Sequence, residues 1–251
     1  MNKFFTVNVN PTFTYAQRNT VFSDGDVLVD WYAFDLPNGG NKLINAYMIT
    51  EPPNGAAHQT HNPEVYFAKD LVVGGKIITP ASLGIVDATA LGGTYQSHII
   101  GFLEGAGTGE VTTNLDYGFV QRLVTTPGKG IQDHIILQGE PNTGTSKGYS
   151  RLYVGIASTD GTPDFRCTVT TNGGGTAGDA TLTVDTVSAF RVFSVGDELI
   201  DQDEQEIGTV ESVHALGTLI TLRSPGLLNS VATNKVIVAK SPMKLVLGFE
   251  R

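Results

Sequence analysis

Six carboxylates crowd one short stretch, "DELIDQDEQEIGTV" at 197–210: Asp197, Glu198, Asp201, Asp203, Glu204 and Glu206. Clustered carboxylate oxygens are what a hard cation such as Ca²⁺ needs. An EF-hand loop would require oxygen ligands at its first, third and fifth positions, glycine at the sixth and glutamate at the twelfth. With Asp201 first, those last three slots hold Gln205, Glu206 and Ser212, and the loop fails. The flanks read better as strands. "FSVGDELI" runs in and "EIGTVESV" runs out, each with a period near two, and "DQDE" lies between them. A hairpin is expected, with its acids forming an outward, solvated face rather than a cation cage.

"HQTHNPE" offers a second possible metal group, His58, His61 and Glu64 at three-residue spacing. On a helix these would share a face and suit a divalent metal. Pro63 inside the group and "EPPNG" before it argue against a helix, so a polar surface loop is expected. His98, His134 and His214 stand singly in predicted strands. There is no G-x-S-x-G, and Cys167 has no histidine near it in sequence. A buried, structural cysteine is the expectation. "TNGGGTAGDA" lacks the Lys-Ser/Thr of a P-loop and precedes a strand, and "GAGTGE" lacks both the third glycine and the βαβ context of a dinucleotide fingerprint. Asp and Glu are scattered beside turn residues, not paired as in a glycosidase. The expectation is no catalytic residue, no cofactor-binding residue, no metal ligand and no enzymatic activity. Trp31, Tyr32, Phe34, Tyr47, Tyr66 and Phe67 could mark a carbohydrate site if exposed, although alternation sends most of them to the core.

The elements that must position these groups are strands. The 251 residues are 40% hydrophobic and only 16% charged, with 30 glycines, the composition of a turn-rich all-β chain. "FFTVNV", "DVLVDWYAFDL", "KLINAYMIT", "EVYFAK", "YQSHIIGFLE", "GFVQRLV", "DHIILQGE" and "RLYVGIAS" are short alternating or apolar runs between Gly, Pro, Asn and Asp clusters. In the second of them Val27, Val29, Trp31 and Ala33 are expected on one face. No sustained 3.6-residue period appears, and "SPGLLNSVATN" carries at most one helical turn. The fold expected is all-β: an antiparallel, jelly-roll-like β-sandwich with a second, small β-barrel. "TNGGGTAG" at 171–178 reads as a flexible joint. The sandwich would take residues 1–165 plus 241–251, and the barrel, an insertion, residues 166–240. A tandem pair, 1–165 and 166–251, is the simpler alternative.

A net charge of −9 lacks the basic patch that nucleic acid or an anionic membrane requires. One cysteine permits no intrachain disulfide. "MNKFFTVNVNPTFTY" has no continuous apolar core of a signal peptide, and no run approaches a membrane span. A soluble chain made in the cytoplasm is expected.

"VGDELIDQDEQEIGTVESVHALGTLITLRSPGLLNSVATNKVIVA" resembles small β-barrel modules of tailed-bacteriophage virion proteins, in which a "GD" strand, an "IGTV" strand and a "TLITL" strand follow one another before an Ala/Asn-rich turn. "FDLPNGGNKLINAYMI" and the "VYFAKD" after it are similar to sandwich strands in structural proteins of phages infecting marine bacteria. The resemblance implies a virion structural protein, foremost a head decoration or cement protein on the outer capsid surface. Its partner would be the major capsid protein, and it would be a homo-oligomer, a trimer or dimer. A tail, baseplate or fibre-associated adaptor and a host-glycan-binding module are the alternatives.

Overall fold

The computed structural model describes residues 3–51, 62–69, 72–73, 76–77, 98–105, 112–115, 118–125, 135–141, 147–160, 163–167, 169–185 and 189–251. In chain order the elements begin with β1 (Phe4–Val9), α1 (Tyr15–Arg18), β2 (Val27–Pro37), β3 (Asn41–Thr50), β4 (Asn62–Ala68), β5 (Val72–Val73) and β6 (Lys76–Ile77). Then come β7 (Ile99–Gly105), β8 (Thr112–Leu115), β9 (Gly118–Val124), β10 (Ile135–Leu137), β11 (Glu140–Pro141) and β12 (Tyr149–Asp160). The remainder is β13 (Thr181–Thr183), α2 (Ala189–Val192), β14 (Glu198–Asp201), β15 (Glu206–Val213), β16 (Leu219–Leu222), β17 (Ile237–Ala239) and β18 (Met243–Glu250).

The chain is all-β, and its larger sheet has the strand order of a jelly roll. One layer runs β1-β18-β3-β9 and the other β2-β12-β4-β7. They join where β7 and β9 pair through Glu104↔Val124 and Gly105↔Leu123, so the sheet bends into a nearly closed sandwich. Period-two burial explains why these strands fold so. Met243, Leu245, Leu247 and Phe249 of β18 point inward, as do Leu43, Ala46 and Met48 of β3, and they meet Leu152, Val154 and Ile156 of β12 in one apolar core. Full burial of each such side chain is worth roughly 1.5–3 kcal/mol. Between β2 and β3, Asn41 is fully buried, and its amide donates to the Pro37 and Gly39 carbonyls at 2.9 and 3.0 Å. That turn is the "LPNGGN" cluster, and Gly39 supplies its φ of +102°.

β2 departs from the expected alternation. Its register against β12 slips twice, between the partners of Val154 and Ile156 and again before Ala157. These bulges put Leu28 and Val29 together in the core and leave Ala33 exposed and Trp31 half-buried.

The second sheet runs β13-β16-β15-β14-β17, lying in sequence between β12 and β18. Residues 169–172 close it into a barrel. Thr170 bridges Val236 of the β17 side, Thr171 bridges Val184 beside β13, and Ile237 donates to the Val169 carbonyl at 2.9 Å. A separate core fills it, with Val169, Leu182, Leu199, Ile207, Val210, Ile220, Val238 and, from α2, Ala189 and Val192. "TNGGGTAG" is therefore a wall of the barrel and not a flexible joint. Two of its glycines serve close approach: at Gly174, with φ +69°, a Cβ would lie 2.6 Å from the Val231 carbonyl oxygen, and at Gly175 one would lie 2.5 Å from the Leu227 side chain. No helical turn forms in "SPGLLNSVATN". That segment is turn and bend, and it drops Leu227 and Val231 into the barrel core.

Candidate functional site

The acidic hairpin forms, with β14 and β15 paired about a turn at Gln202–Gln205. Glu198, Asp203, Glu204 and Glu206 are exposed, as expected, but each also has a partner, and Asp201 is buried. Asp201 is 3% exposed, and its Oδ1 accepts from the amides of Asp203 and Gln205, both at 2.9 Å, so it builds the turn. Asp203 pairs with Lys235, and Glu206 with Lys240, which also lies 4.0 Å from Glu198. Glu204, in the left-handed region with φ +63°, accepts from the Tyr15 amide at the start of α1. Through Glu204 the tip thus contacts the segment that carries α1. Among the described residues, no three His, Cys, Asp or Glu side chains are placed to hold a metal ion.

His58, His61 and His134 lie outside the described residues. Glu64 stands on β4, accepts from the Tyr66 hydroxyl and faces Glu104 directly across the strand pair. Burial and the Glu64 charge raise the Glu104 carboxyl above its ordinary range, and burial and Glu64 hold the Tyr66 phenol protonated. His98 is half-buried at the head of β7. His214 is exposed, and its Nδ1 accepts from the Leu216 amide at 3.2 Å. Cys167 is 3% exposed, its Sγ donates to the Ile237 carbonyl at 3.4 Å, and burial pushes its thiol up to about 11. A thiol so held is no nucleophile at neutral pH. Of the aromatics, Phe34, Tyr66 and Phe67 are buried, whereas Trp31, Tyr32 and Tyr47 are half-buried.

The structure draws attention instead to the seam between jelly roll and barrel, which residues 10–18 fill. Thr14 and Gln17 cap α1 reciprocally, a legible T-x-x-Q capping box. Tyr15 packs onto the barrel core. Phe13, Phe22 and Phe165 meet edge-on with ring centroids 5.5–6.4 Å apart, and the Phe13 amide donates to the Lys240 carbonyl at 2.7 Å.

Arg18 is 2% exposed, and its guanidinium lies 3.6 Å from Glu51. Among the described residues its Nε and Nη1 have no hydrogen-bond partner. Glu51 follows β3 and donates its amide to the Pro242 carbonyl just before β18. Burial pushes the Glu51 carboxyl up to about 8, against the pull of Arg18 and with a push from Asp197 at the barrel's entrance. Burial raises Asp197 as well. Glu51 and Asp197 share the wall of a cleft of about 770 Å³, with Asn10, Thr12, Tyr32 and Lys244. The Arg18–Glu51 pair was not legible in the sequence, since nothing local couples residues 33 positions apart.

No protein-family model matches the chain, and no curated protein matches it.

Proposed function

We propose that the chain is a non-enzymatic virion structural protein, foremost a head decoration or cement protein that binds the outer capsid surface and stabilises capsomer contacts. The observation that carries the reading is architectural. A jelly roll takes a whole second barrel into the connection before its last strand, and the two meet where Tyr15 packs on the barrel core and its amide donates to Glu204 and where the Phe13 amide donates to the Lys240 carbonyl. Jelly rolls serve in viral capsids and in lectins, an analogy of fold. The resemblance of "VGDELIDQDEQEIGTV" and "FDLPNGGNKLINAYMI" to phage virion proteins favours the capsid branch. A rigid β scaffold offers loops for contact at low ordering cost, and many copies on one shell let weak single contacts suffice. The partner would be the major capsid protein.

The test is a heat or osmotic challenge of particles assembled with and without the protein. Earlier DNA release from the depleted particles supports the stabilising role, and equal survival refutes it. The lectin branch has one observation of its own, the cleft in which Tyr32 stands with Asn10, Glu51 and Asp197. Binding on a glycan array that is lost on Tyr32→Ala would favour that branch.

A further inference from the structure

We infer that two copies of this chain pair along β1, so that the β1-containing layer continues across a two-fold axis through Thr6. This goes beyond the virion reading and stands or falls separately from it.

Pairing geometry defines the surface. Lys3 and Arg251 exchange both backbone hydrogen bonds, at 3.0 and 2.9 Å. The regular register of β1 on β18 then makes Phe5, Val7 and Val9 the inward-bonding residues. Phe4, Thr6 and Asn8 therefore direct their amides and carbonyls at the opposite edge, where β1 pairs with no strand among the described residues. An unpaired strand edge is a template for another extended strand.

Among the described residues, β1 and β2 are the outermost strands of the two layers, and their edges differ. β2 is interrupted by two bulges and carries Asp30, Asp35 and Pro37, the usual defences against edge pairing. β1 is "FFTVNV", with no charge, no proline and no bulge. It is a neutral strip on a chain of net charge −9, so a second copy meets no like charge along it.

Self-complementarity selects the occupant and the register. Antiparallel pairing about Thr6 sets Thr6 against its own symmetry mate and Phe4 against the mate's Asn8, which engages the edge groups of all three residues. Pairing centred on Phe5 or Val7 leaves one of the three outside the described strand. The Thr6 register also places Phe5 beside the mate's Val7 on the core side. Both side chains are only partly buried in the single chain although they pack against the core. The new contact is an aromatic–β-branched cross-strand pair of the favourable kind. Phe4, 67% exposed, is covered on the outer face.

The full-length chain tests this. In a hydrogen-bonded antiparallel pair the Cα atoms stand about 5.5 Å apart, within disulfide reach. Thr6→Cys should oxidise to a covalent dimer, with the native Cys167 buried and silent. Asn8→Cys is the control, because in this register its mate lies roughly 14 Å away, and it should stay monomeric under the same oxidation. In sedimentation velocity the parent should show a concentration-dependent dimer, weakened about ten-fold or more by Thr6→Pro. Proline at that edge removes a donor that β18 does not use, so a native melting profile is expected. A Thr6→Cys chain that cross-links no better than Asn8→Cys, or a parent that stays monomeric at every concentration, overturns the inference.

Discussion

Replacing Glu51 with glutamine isolates the electrostatics of the seam. Glu51 takes its carboxyl from 4.5 to about 8 on folding, chiefly through burial. The folded chain therefore holds a proton that the unfolded chain has released between those two values. Stability contributed by this group is full below pH 4.5 and falls as pH rises toward 8. The whole shift would be worth about 5 kcal/mol at ~1.4 kcal/mol per unit. The Glu51 side chain keeps 20% exposure, and residual water plus local relaxation bring the expected loss to about 1–2 kcal/mol. Glutamine keeps the shape and cannot ionise. Urea unfolding at pH 5, 6.5 and 8, followed by the single tryptophan, Trp31, should show the parent losing stability across the range. Glu51→Gln should lose about 1–2 kcal/mol less. Titrating groups distant from the seam are common to both chains and cancel, so the difference reports Glu51 together with its coupling to Arg18 and Asp197. Identical pH dependence in the two chains would refute the burial of that carboxyl.

Four further outcomes follow from particular contacts. Cys167 should resist a thiol reagent at pH 8 in the folded chain and react fully in denaturant, because its thiol is 3% exposed and raised to about 11. Gly174→Ala should destabilise the barrel by about 1–3 kcal/mol in thermal unfolding, since the added Cβ meets the Val231 carbonyl oxygen at a φ of +69°. Asp201→Ala should cost about 1–3 kcal/mol by stranding the Asp203 and Gln205 amides in the hairpin turn. Asp203→Asn, at an exposed ion pair with Lys235, should leave the melting temperature unchanged.

Local pattern carried most of the fold. β18 keeps its alternation from Met243 to Leu247 because one face lies on the core, whereas β3 changes phase at Ile44–Asn45, where its register on β18 slips, and the turn clusters marked their ends. The misreadings share a cause. Bulges in β2, the bridges made by Thr170 and Thr171 and the return of Glu204 onto Tyr15 are all set by partners distant in sequence. "TNGGGTAG" has the composition of a linker, but Gly174 and Gly175 are there because the Val231 backbone and the Leu227 side chain pass too close for a Cβ, and Gly173 and Gly178 because their φ is positive. The hairpin was legible from the acidic stretch, whereas the pairing of its acids with Lys235 and Lys240 was not. Arg18 and Glu51 gave no local signal beyond the capping box that ends one residue before Arg18.

The virion reading is tested most directly by counting the chain in purified phage particles with isotope-labelled peptide standards against the major capsid protein. A head decoration protein should be present at roughly hundreds of copies, in fixed ratio to capsomers. Six to a few dozen copies would move it to the tail, by the symmetry of closed assemblies, and absence from the particles would contradict the account.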